Sequence, residues 1–476
     1  MKKSTKIVAT ISDQRCEVEF LRELYKAGMN VVRLNTAHMN REGLTRVVNN
    51  TRAVSGKIAI LIDTKGPEIR TTPTDANIEL KTGDVVKVIS NPNVKSTPEC
   101  ISVNYDQFVQ DLQIDNLILI DDGEVALKVT EKHADYLTCE VQNNGTVGSR
   151  KSVNIPGVRT NLPSITEKDI DCIHFAIEND LDFIAHSFVR NRADVMEVQK
   201  ILDKSNCPAK IIAKIENQEG VENIDEILEC VYGIMVARGD LGIEIPQERI
   251  PLVQRQLIRK CVENKKPVIV ATQMLHTMIK NPRPTRAEVT DIANAIYYRT
   301  DAIMLSGETA YGNYPVEAVQ TMSKIAMEVE PAKDIRNDIH VPIVKSDLTA
   351  YLAEAAVKAT RELDVKAIIT DSFTGKTARF LAAFRGKVPV YALCYSPRVG
   401  RELALSYGVS ARLTEEGSNK SEILRKTINK LKKKDILEDK DLVVYIGGSF
   451  GIGGGTTFME IINVEGLIKK VEWYRD

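Results

Sequence analysis

Eight short apolar segments recur along the first two thirds of the chain, and this repetition constrains the fold more than any other feature. Apolar runs of this length are typical of parallel strands buried on both faces. Amphipathic segments of helical period lie between most of them, such as Val18–Ala27 and Gln247–Glu263. Eight strand–helix units in series predict an α/β fold, a parallel (β/α)8 TIM barrel. The predicted strands are Lys6–Ile11, Asn30–Asn35, Ile58–Asp63, Asp182–Ser187, Lys210–Ile215, Gly233–Ala237, Pro267–Thr272 and Ala302–Ser306.

One connection, after the third strand, departs from this alternation. Lys65-Gly66-Pro67 is followed by about one hundred residues of short alternating strands, far more than a loop needs. Turn pairs such as Asp122-Gly123 and Asn144-Gly145 separate these strands. The pattern predicts an all-β domain inserted into the third strand–helix connection. Because such connections lie over the catalytic face of a barrel, we expect this domain to act as a lid.

A second α/β domain is expected after the barrel. Apolar strands again alternate with helices beyond Pro331–Asp347, which resembles a linker in composition. We therefore expect barrel segments at 1–66 and 163–340, an inserted β-barrel lid domain at 67–162, and a C-terminal α/β domain at 346–476.

Composition restricts the partners and the compartment. The chain has 64 Lys and Arg against 65 Asp and Glu, so its net charge of −1 argues against a nucleic-acid or membrane partner. No apolar run approaches the ~20 residues that span a bilayer. Eight cysteines occur singly, without a CxxC pair, which indicates reduced thiols and a cytoplasmic location.

Charged side chains follow two of the predicted strands. Side chains alternate in direction along a strand, so Lys214 and Glu216 face the same way. If the next strand is a neighbour, Asp240 lies close to Glu216 at the same edge. Two carboxylates and an ammonium suit a divalent metal that holds a phosphorylated substrate. A structural ion pair is the alternative for one such cluster alone.

Other strands also end in polar residues, which favours a catalytic site over an ion pair. Packing alone would not place polar groups at equivalent positions on so many strands. These residues are Arg33, Asn35, Asp63, Lys65, Thr272, Ser306 and Glu308.

Seven stretches that contain these residues resemble the pyruvate kinase family, in order and over nearly the whole chain. The stretches are NVVRLN (Asn30–Asn35), IDTKGPEIR (Ile62–Arg70), KIENQEG (Lys214–Gly220), MVARGDLGIEIP (Met235–Pro246), ATQML (Ala271–Leu275), PRPTRAE (Pro282–Glu288) and MLSGETA (Met304–Ala310).

The resemblance implies transfer of a phosphoryl group from phosphoenolpyruvate to ADP, which yields pyruvate and ATP. It implies that Glu216 and Asp240 bind Mg²⁺ or Mn²⁺, that Lys214 stabilises the phosphoryl group and the enolate oxygen, and that Arg33 grips the phosphate. The main chain at Gly239, rich in free N–H groups, would receive the substrate carboxylate together with Asp240.

The resemblance also implies roles in protonation and nucleotide binding. Thr272 would lie near the carbon that becomes the methyl group, and Ser306 and Glu308 would lie on the proton path. The residues matched to the nucleotide are Asn35, His38, Arg70 and Lys151.

A K⁺ site is implied as well, held by Asn35, Asp63 and the Thr64 carbonyl. Glu68 matches the glutamate of K⁺-dependent members. The chain departs from the family at Ala37, where a serine usually supplies an oxygen ligand. We expect retained K⁺ dependence with weaker affinity, with water or Thr36 in place of that oxygen.

In the C-terminal domain, Thr370–Thr377 (TDSFTGKT) matches the loop with which the family binds a phosphorylated allosteric effector. Its expected ligands are Ser372, Thr374, Lys376 and Thr377, and the glycine-rich Gly447–Gly455 could close over them. A plain strand–helix turn beside a flexible loop is the alternative. The resemblance further implies a homotetramer.

Two other functions compete with the kinase. Another barrel enzyme that forms a metal-bound enolate, such as a pyruvate-forming aldolase or lyase, would use Lys214, Glu216 and Asp240 but leaves Arg33 and the inserted domain without a role. A non-catalytic sensor or scaffold would have lost one of these residues, and none is lost.

Overall fold

The structure is a computed structural model that describes residues 3–332, 339–344, 347–413, 420–448 and 455–473. Part of the predicted linker and residues 449–454 of the predicted glycine-rich loop therefore lie outside the described residues.

Eight parallel strands close into the predicted barrel, in the order β1-β16-β15-β14-β13-β12-β3-β2. Elements are numbered here in chain order through the whole molecule. The predicted strands agree with these bounds to within one or two residues. The barrel strands are β1 (Lys6–Thr10), β2 (Val31–Asn35), β3 (Ala59–Asp63), β12 (Phe183–His186), β13 (Lys210–Ile215), β14 (Gly233–Ala237), β15 (Val268–Ala271) and β16 (Ala302–Leu305).

Helices surround the barrel and bury their apolar stripes against it. Two of them, α4 and α10, begin with capping boxes, Thr166 with Asp169 and Thr285 with Glu288. The helices are α1 (Val18–Ala27), α2 (Arg41–Val54), α4 (Glu167–Glu178), α5 (Arg192–Lys204), α6 (Gln218–Glu222), α7 (Ile224–Cys230), α8 (Arg238–Glu244), α9 (Ile250–Glu263), α10 (Arg286–Tyr297), α11 (Gly307–Ala310) and α12 (Pro315–Val329).

The barrel interior is apolar at its lower end and polar at its upper end. Side chains such as Val8, Leu61 and Met235 fill the lower part, and Leu405 of the C-terminal domain belongs to the same buried cluster. A residue of the second domain therefore closes the N-terminal mouth of the barrel. Farther up, alternation brings polar side chains inward near the C-terminal strand ends.

The chain between β3 and α4 forms an all-β unit with its own core. Six strands run in the order β11-β7-β8-β9-β5-β6, and β10 pairs with β4. Its elements are β4 (Ile78–Leu80), β5 (Val85–Ser90), β6 (Cys100–Val103), α3 (Phe108–Asp111), β7 (Leu117–Ile120), β8 (Val125–Lys132), β9 (Tyr136–Val141), β10 (Gly145–Val147) and β11 (Val153–Asn154).

The C-terminal domain is a five-stranded sheet in the order β19-β18-β17-β20-β21. The last strand is antiparallel to β20 and was not predicted from the sequence. The elements are α13 (Leu348–Glu362), β17 (Val365–Ser372), α14 (Lys376–Phe384), β18 (Val390–Cys394), α15 (Pro397–Glu402), β19 (Val409–Leu413), α16 (Lys420–Lys432), β20 (Leu442–Gly447), β21 (Phe458–Asn463) and α17 (Val464–Trp473).

Buried ion pairs join this domain to the N-terminal face of the barrel. Arg401 Nε lies 2.5 Å from an Asp182 oxygen, and Arg385 Nη1 lies 3.0 Å from an Asp301 oxygen. Both carboxylates are buried. The described part of the predicted linker also packs inward, since Val341 is buried in the main core.

Candidate active site

Lys214 extends into the upper barrel interior and contacts three acceptors there. Its Nζ lies 3.0 Å from Asp63 Oδ1, 3.0 Å from Glu216 Oε1 and 2.7 Å from Ser187 Oγ. Burial alone would lower the pKa of Lys214, but the adjacent carboxylates of Asp63 and Glu216 raise it above its ordinary value. The lysine is therefore a fixed ammonium.

Arg33 lies on the other side of the same carboxylate. Its Nε donates to Asp63 Oδ2 at 2.6 Å and its Nη1 donates to Thr10 Oγ1 at 3.0 Å. Burial opposes ionisation of Asp63, yet the charges of Arg33 and Lys214 hold the pKa of this carboxyl below its usual value. Two fixed cations thus share one buried carboxylate.

Glu216 combines deep burial with a neighbouring negative charge. It is 1% exposed, and its Oε2 accepts the Phe188 N–H at 2.7 Å. Burial, with a further contribution from Asp240, raises the pKa of Glu216 to about 7 in spite of Lys214. The strands that carry the two carboxylates, β13 and β14, are neighbours as predicted, with Asp240 in the first turn of α8.

Thr272 has a left-handed backbone that Arg238 stabilises. Its φ is +69°, which a β-branched residue rarely adopts, and Gln273 follows at +55°. Arg238 donates to the carbonyls of Ala271 and Thr272 at 3.2 and 2.5 Å. The Gly239 N–H, which the sequence suggested would be free, donates to Thr272 Oγ1 at 2.8 Å.

Glu308 supports the turn that carries Ser306. It is 2% exposed, and its two oxygens accept the N–H groups of Ser306 and Leu275 at 2.8 and 3.1 Å. Ser306 itself is half-buried at the end of β16. The pair therefore lies at the barrel mouth, as the strand ends predicted.

Comparison with known proteins agrees with this geometry. The family descriptions "Pyruvate kinase, barrel domain" and "Pyruvate kinase, alpha/beta domain" match residues 2–319 and 351–462. A pyruvate kinase of Borreliella burgdorferi is 50% identical over 98% of both chains, and one of Geobacillus stearothermophilus is 44% identical over 99% of this chain and 82% of its own.

A solved structure of a pyruvate kinase also matches the fold of this chain. The crystal structure of a pyruvate kinase from Cryptosporidium parvum has a TM-score of 0.91 and 37% identity, over 97% of this chain and 96% of that one.

The chain belongs to the pyruvate kinase family.

It is therefore a phosphotransferase of glycolysis, and pyruvate kinases transfer the phosphoryl group of phosphoenolpyruvate to ADP, giving pyruvate and ATP. The predicted fold class is confirmed by the closed barrel and the α/β domain. No helix in the described ranges is long and apolar enough to cross a membrane.

Pyruvate kinases need a divalent metal ion. No three His, Cys, Asp or Glu side chains in the described part of the chain form a metal-binding group. The pair Glu216 and Asp240 nevertheless fits such an ion. Mg²⁺ in phosphate-binding sites is commonly held by one or two carboxylates, with substrate and water oxygens completing the shell. Burial of Glu216 beside a second carboxylate also favours a cation there.

Three of the positions predicted to hold K⁺ lie together at the ends of β2 and β3. Asn35 and Asp63 are partners in the strand register, and Thr64 follows directly. Thr36 is fully buried, and its hydroxyl donates to the Asp63 carbonyl at 2.8 Å. That hydroxyl therefore donates its proton to the main chain, and its lone pairs are left to take the place of the missing serine oxygen.

The predicted nucleotide residues have protein partners or are exposed. Arg70 Nε donates to Glu68 Oε2 at 2.8 Å, and Lys151 Nζ lies 2.5 Å from an Asp121 oxygen. His38 is exposed at the barrel rim. Arg70 and Lys151 belong to the two ends of the inserted unit, so their position relative to the barrel depends on the angle of that unit.

The four predicted effector residues have different surroundings. Ser372 Oγ is buried with no hydrogen-bond partner among the described residues, and Thr374 is exposed. Lys376 Nζ lies 3.6 Å from Asp347, and Thr377 Oγ1 lies 2.7 Å from Thr456 Oγ1.

Three residues that contact the site were missed from the sequence. Ser187 ends the strand segment that we predicted, so the rule applied to the other strand ends would have found it. Asp169 is fully buried in α4 and accepts the N–H groups of Lys65 and Gly66 at 2.9 and 3.3 Å. The sequence gives no sign that Asp169 contacts the main chain after β3 or that Arg238 contacts the main chain at the end of β15. In both cases the partner is a main-chain atom that is remote in sequence.

Proposed function

We propose that the cluster around Lys214 carries out phosphoryl transfer and that the neighbouring strand ends protonate the enolate. The observation that carries this proposal is the Lys214 ammonium, fixed between Asp63 and Glu216 beside the Arg33 guanidinium. Phosphoryl transfer depends mainly on positioning and on charge placed in advance where it develops. Two cations held without freedom to rotate supply that charge.

Arg33 and Lys214 have separate roles in this proposal. The planar guanidinium of Arg33 binds the phosphate through two N–H groups, for which its fork geometry is suited. Lys214 neutralises charge on the transferring phosphoryl group and on the enolate oxygen that remains. Lys214 stays protonated at neutral pH, because the carboxylates of Asp63 and Glu216 raise its pKa.

Glu216 and Asp240 are the proposed ligands of Mg²⁺ or Mn²⁺. When bound, the ion supplies electrophilic neutralisation of the substrate oxygens. The main chain at Gly239 then faces the substrate carboxylate, provided that its N–H leaves Thr272 Oγ1. The role of the two carboxylates is to hold the ion beside Lys214.

Protonation of the enolate is assigned to the β15 and β16 ends. Thr272 lies beside Gly239, where the methyl-forming carbon would be placed, and its Oγ1 donates to the Ala271 carbonyl at 2.7 Å. Ser306 faces the same mouth and would deliver the proton, directly or through water. Glu308 holds the Ser306 main chain and acts through it.

The inserted unit is proposed to close over the nucleotide. Closure would exclude water, so that the phosphoryl group meets ADP. Arg70 and Lys151 would then exchange Glu68 and Asp121 for nucleotide phosphates, while Asn35 and His38 contribute from the rim. These exchanges keep each cation paired in both states.

K⁺ is the proposed monovalent cation, bound by Asn35, Asp63 and the Thr64 carbonyl. Ala37 provides no oxygen, so water or the Thr36 hydroxyl oxygen would complete the shell. A shell with one more water binds K⁺ more weakly.

An effector site and a homotetramer are proposed from the resemblance, each with one supporting feature of the C-terminal domain. Ser372, Thr374, Lys376 and Thr377 would bind a phosphorylated effector, with the unpartnered hydroxyl of Ser372 as support. A homotetramer is supported by β21, an edge strand of its sheet in the described ranges. A cytoplasmic location is supported by eight cysteines that are all free.

The test is pyruvate formation from phosphoenolpyruvate, ADP and Mg²⁺ while K⁺ is titrated against an inert quaternary ammonium salt. We expect saturable activation by K⁺. The K⁺ concentration that gives half-maximal activation should be lower in Ala37→Ser than in the wild type. Equal rates with and without K⁺ would contradict the proposed cation site but would not contradict the proposed reaction. Absence of pyruvate in either salt would contradict the proposed roles of the whole cluster.

A further inference from the structure

Ser187 lies at the top of β12 with its side chain in the barrel interior. It is 1% exposed, and it is two residues beyond Ala185 of the interior cluster, so it faces the same way. Its Oγ lies 2.7 Å from Lys214 Nζ and 2.6 Å from the Thr64 carbonyl oxygen. The hydroxyl therefore bridges two proposed parts of the site.

The chemistry of the three groups fixes the direction of both hydrogen bonds. An ammonium can only donate, and a carbonyl oxygen can only accept. Ser187 must therefore accept from Lys214 and donate its proton to the Thr64 carbonyl. A hydroxyl whose proton is committed in this way offers only its lone pairs to the lysine.

Ser187 also completes the hydrogen bonding of Lys214. An ammonium has three N–H donors, and the three acceptors here are Asp63, Glu216 and Ser187. The electrostatic attraction between the ammonium and the two carboxylates varies slowly with the direction of the N–H groups. The neutral hydroxyl provides the shortest of the three contacts and fixes the rotation of the ammonium.

We propose that Ser187 is a positioning residue for phosphoryl transfer, which acts by fixing the ammonium of Lys214 in the barrel mouth. The proposal rests on the role proposed above for Lys214. Without the hydroxyl, one N–H of the ammonium loses its acceptor in a buried site, and the flexible lysine stem is free to shift toward the carboxylates. The cation would then stand away from the transferring group in the transition state, while the ground-state contacts of the substrate with Arg33 remain.

The main test compares Ser187→Ala with Ser323→Ala. Ser323 is also buried and donates its hydroxyl to the Ala27 carbonyl at 2.7 Å, but it lies in α12, away from the site. We expect Ser187→Ala to lower kcat about 10- to 100-fold, with less than about a threefold change in KM for phosphoenolpyruvate. This is less than the ~10²–10³-fold cost of deleting a direct transition-state donor, because Lys214 itself remains. Ser323→Ala should keep both constants. Unchanged kcat in Ser187→Ala would overturn the proposal.

A double-mutant cycle separates positioning from general damage. In a Lys214→Arg enzyme the correct ammonium is absent, so adding Ser187→Ala should change kcat less than twofold. The same loss in both backgrounds would show that the serine does not act through the lysine.

A second variant covers the case in which alanine prevents folding. Ser187→Cys has nearly the same volume but a weak acceptor, so it should fold and still lose at least fivefold in kcat. Full kcat in this variant would contradict the proposal. If the wild type forms no pyruvate, or Lys214→Arg is fully active, the proposed function fails instead.

Discussion

The charges at the barrel mouth compensate one another residue by residue. Lys214 and Arg33 face Asp63 and Glu216, so two cations and two carboxylates form a neutral group inside the protein. Asp240 adds a third carboxylate without a matching cation in this group. The excess negative charge explains at the level of single residues why the site suits a metal ion, and it also accounts for part of the raised pKa of Glu216.

This raised pKa predicts that metal binding depends on pH. A carboxyl must lose its proton to bind a metal, and the pKa of Glu216 is about 7 in the metal-free protein. Above pH 7 the group is ionised and the Kd for Mn²⁺ should be constant. Below pH 7 a proton must be displaced, so the Kd should rise by about tenfold per pH unit.

Calorimetric titration with Mn²⁺ at pH 6, 7 and 8 measures this dependence. Glu244→Gln serves as the matched control, because burial also raises the pKa of Glu244 on the nearby helix α8. That variant should keep the wild-type pH dependence, whereas Glu216→Gln should remove it. A wild-type Kd that is equal at pH 6 and pH 8 would contradict the assignment.

At the scale of elements, the chain passes from the barrel to the inserted unit and back through two connecting segments, the outgoing and the return crossing. Both crossings contact one buried carboxylate. Asp169 Oδ1 accepts from Lys65 and Gly66 on the outgoing crossing, while its Oδ2 accepts from Thr166 at the end of the return crossing. Gly66 has φ +72°, and a Cβ there would lie 2.8 Å from the Phe188 ring. The outgoing crossing is thus confined on both sides.

We predict that Asp169→Ala loosens the outgoing crossing. The variant loses the N3 carboxylate of the α4 capping box and leaves the Lys65 and Gly66 N–H groups without their acceptor, at a cost of about 2 to 4 kcal/mol in the free energy of unfolding. Hydrogen exchange followed by mass spectrometry should show at least tenfold faster exchange at Lys65 and Gly66.

The second capping box of the barrel provides the control. Glu288→Ala removes the equivalent N3 carboxylate of α10 together with its two hydrogen bonds from Thr277, at a cost of about 1 to 3 kcal/mol, and does not touch the crossing. If Lys65 and Gly66 stay protected in Asp169→Ala, the carboxylate does not hold the crossing.

The same elements show how far the sequence could be interpreted. All eight barrel strands were predictable, because apolar runs that alternate with segments of helical period have few alternative folds. The polar residues at their ends predicted side chains that meet at the barrel mouth, among them Lys214, Asp63 and Glu216. The antiparallel strand β21 was missed, since Phe458–Asn463 has no clear alternation and its pairing depends on β20. The contacts of Arg238 with the Thr272 carbonyl and of Asp169 with the Lys65 N–H could not be predicted, because these partners are main-chain atoms of remote segments.

At the scale of the whole molecule, the proposed tetramer requires surfaces that join copies of the chain. Within the described ranges β21 is the edge strand of its sheet, and Ile461 of this strand is exposed by 37%. Edge strands of this kind commonly pair with another chain. A contact through β21 would leave the barrel mouth open.

We predict that Ile461→Lys divides the assembly. Analytical ultracentrifugation of the wild type should give four times the chain mass of 53.0 kDa, and the variant should give half of the wild-type value. Val85→Lys, which changes an exposed valine of the inserted unit, should leave the mass unaltered. An unchanged mass for Ile461→Lys would place the contact elsewhere.

Leu405, which closes the lower mouth of the barrel, has a consequence for synthesis. It follows Leu305, the last residue of the barrel strands, by 405 − 305 = 100 residues. At ribosomal rates of about 5 to 20 residues per second, the nascent barrel waits roughly 5 to 20 s with its apolar interior open at one end. The lower end of the barrel interior thus depends, for its burial, on a residue that is made long after the last barrel strand.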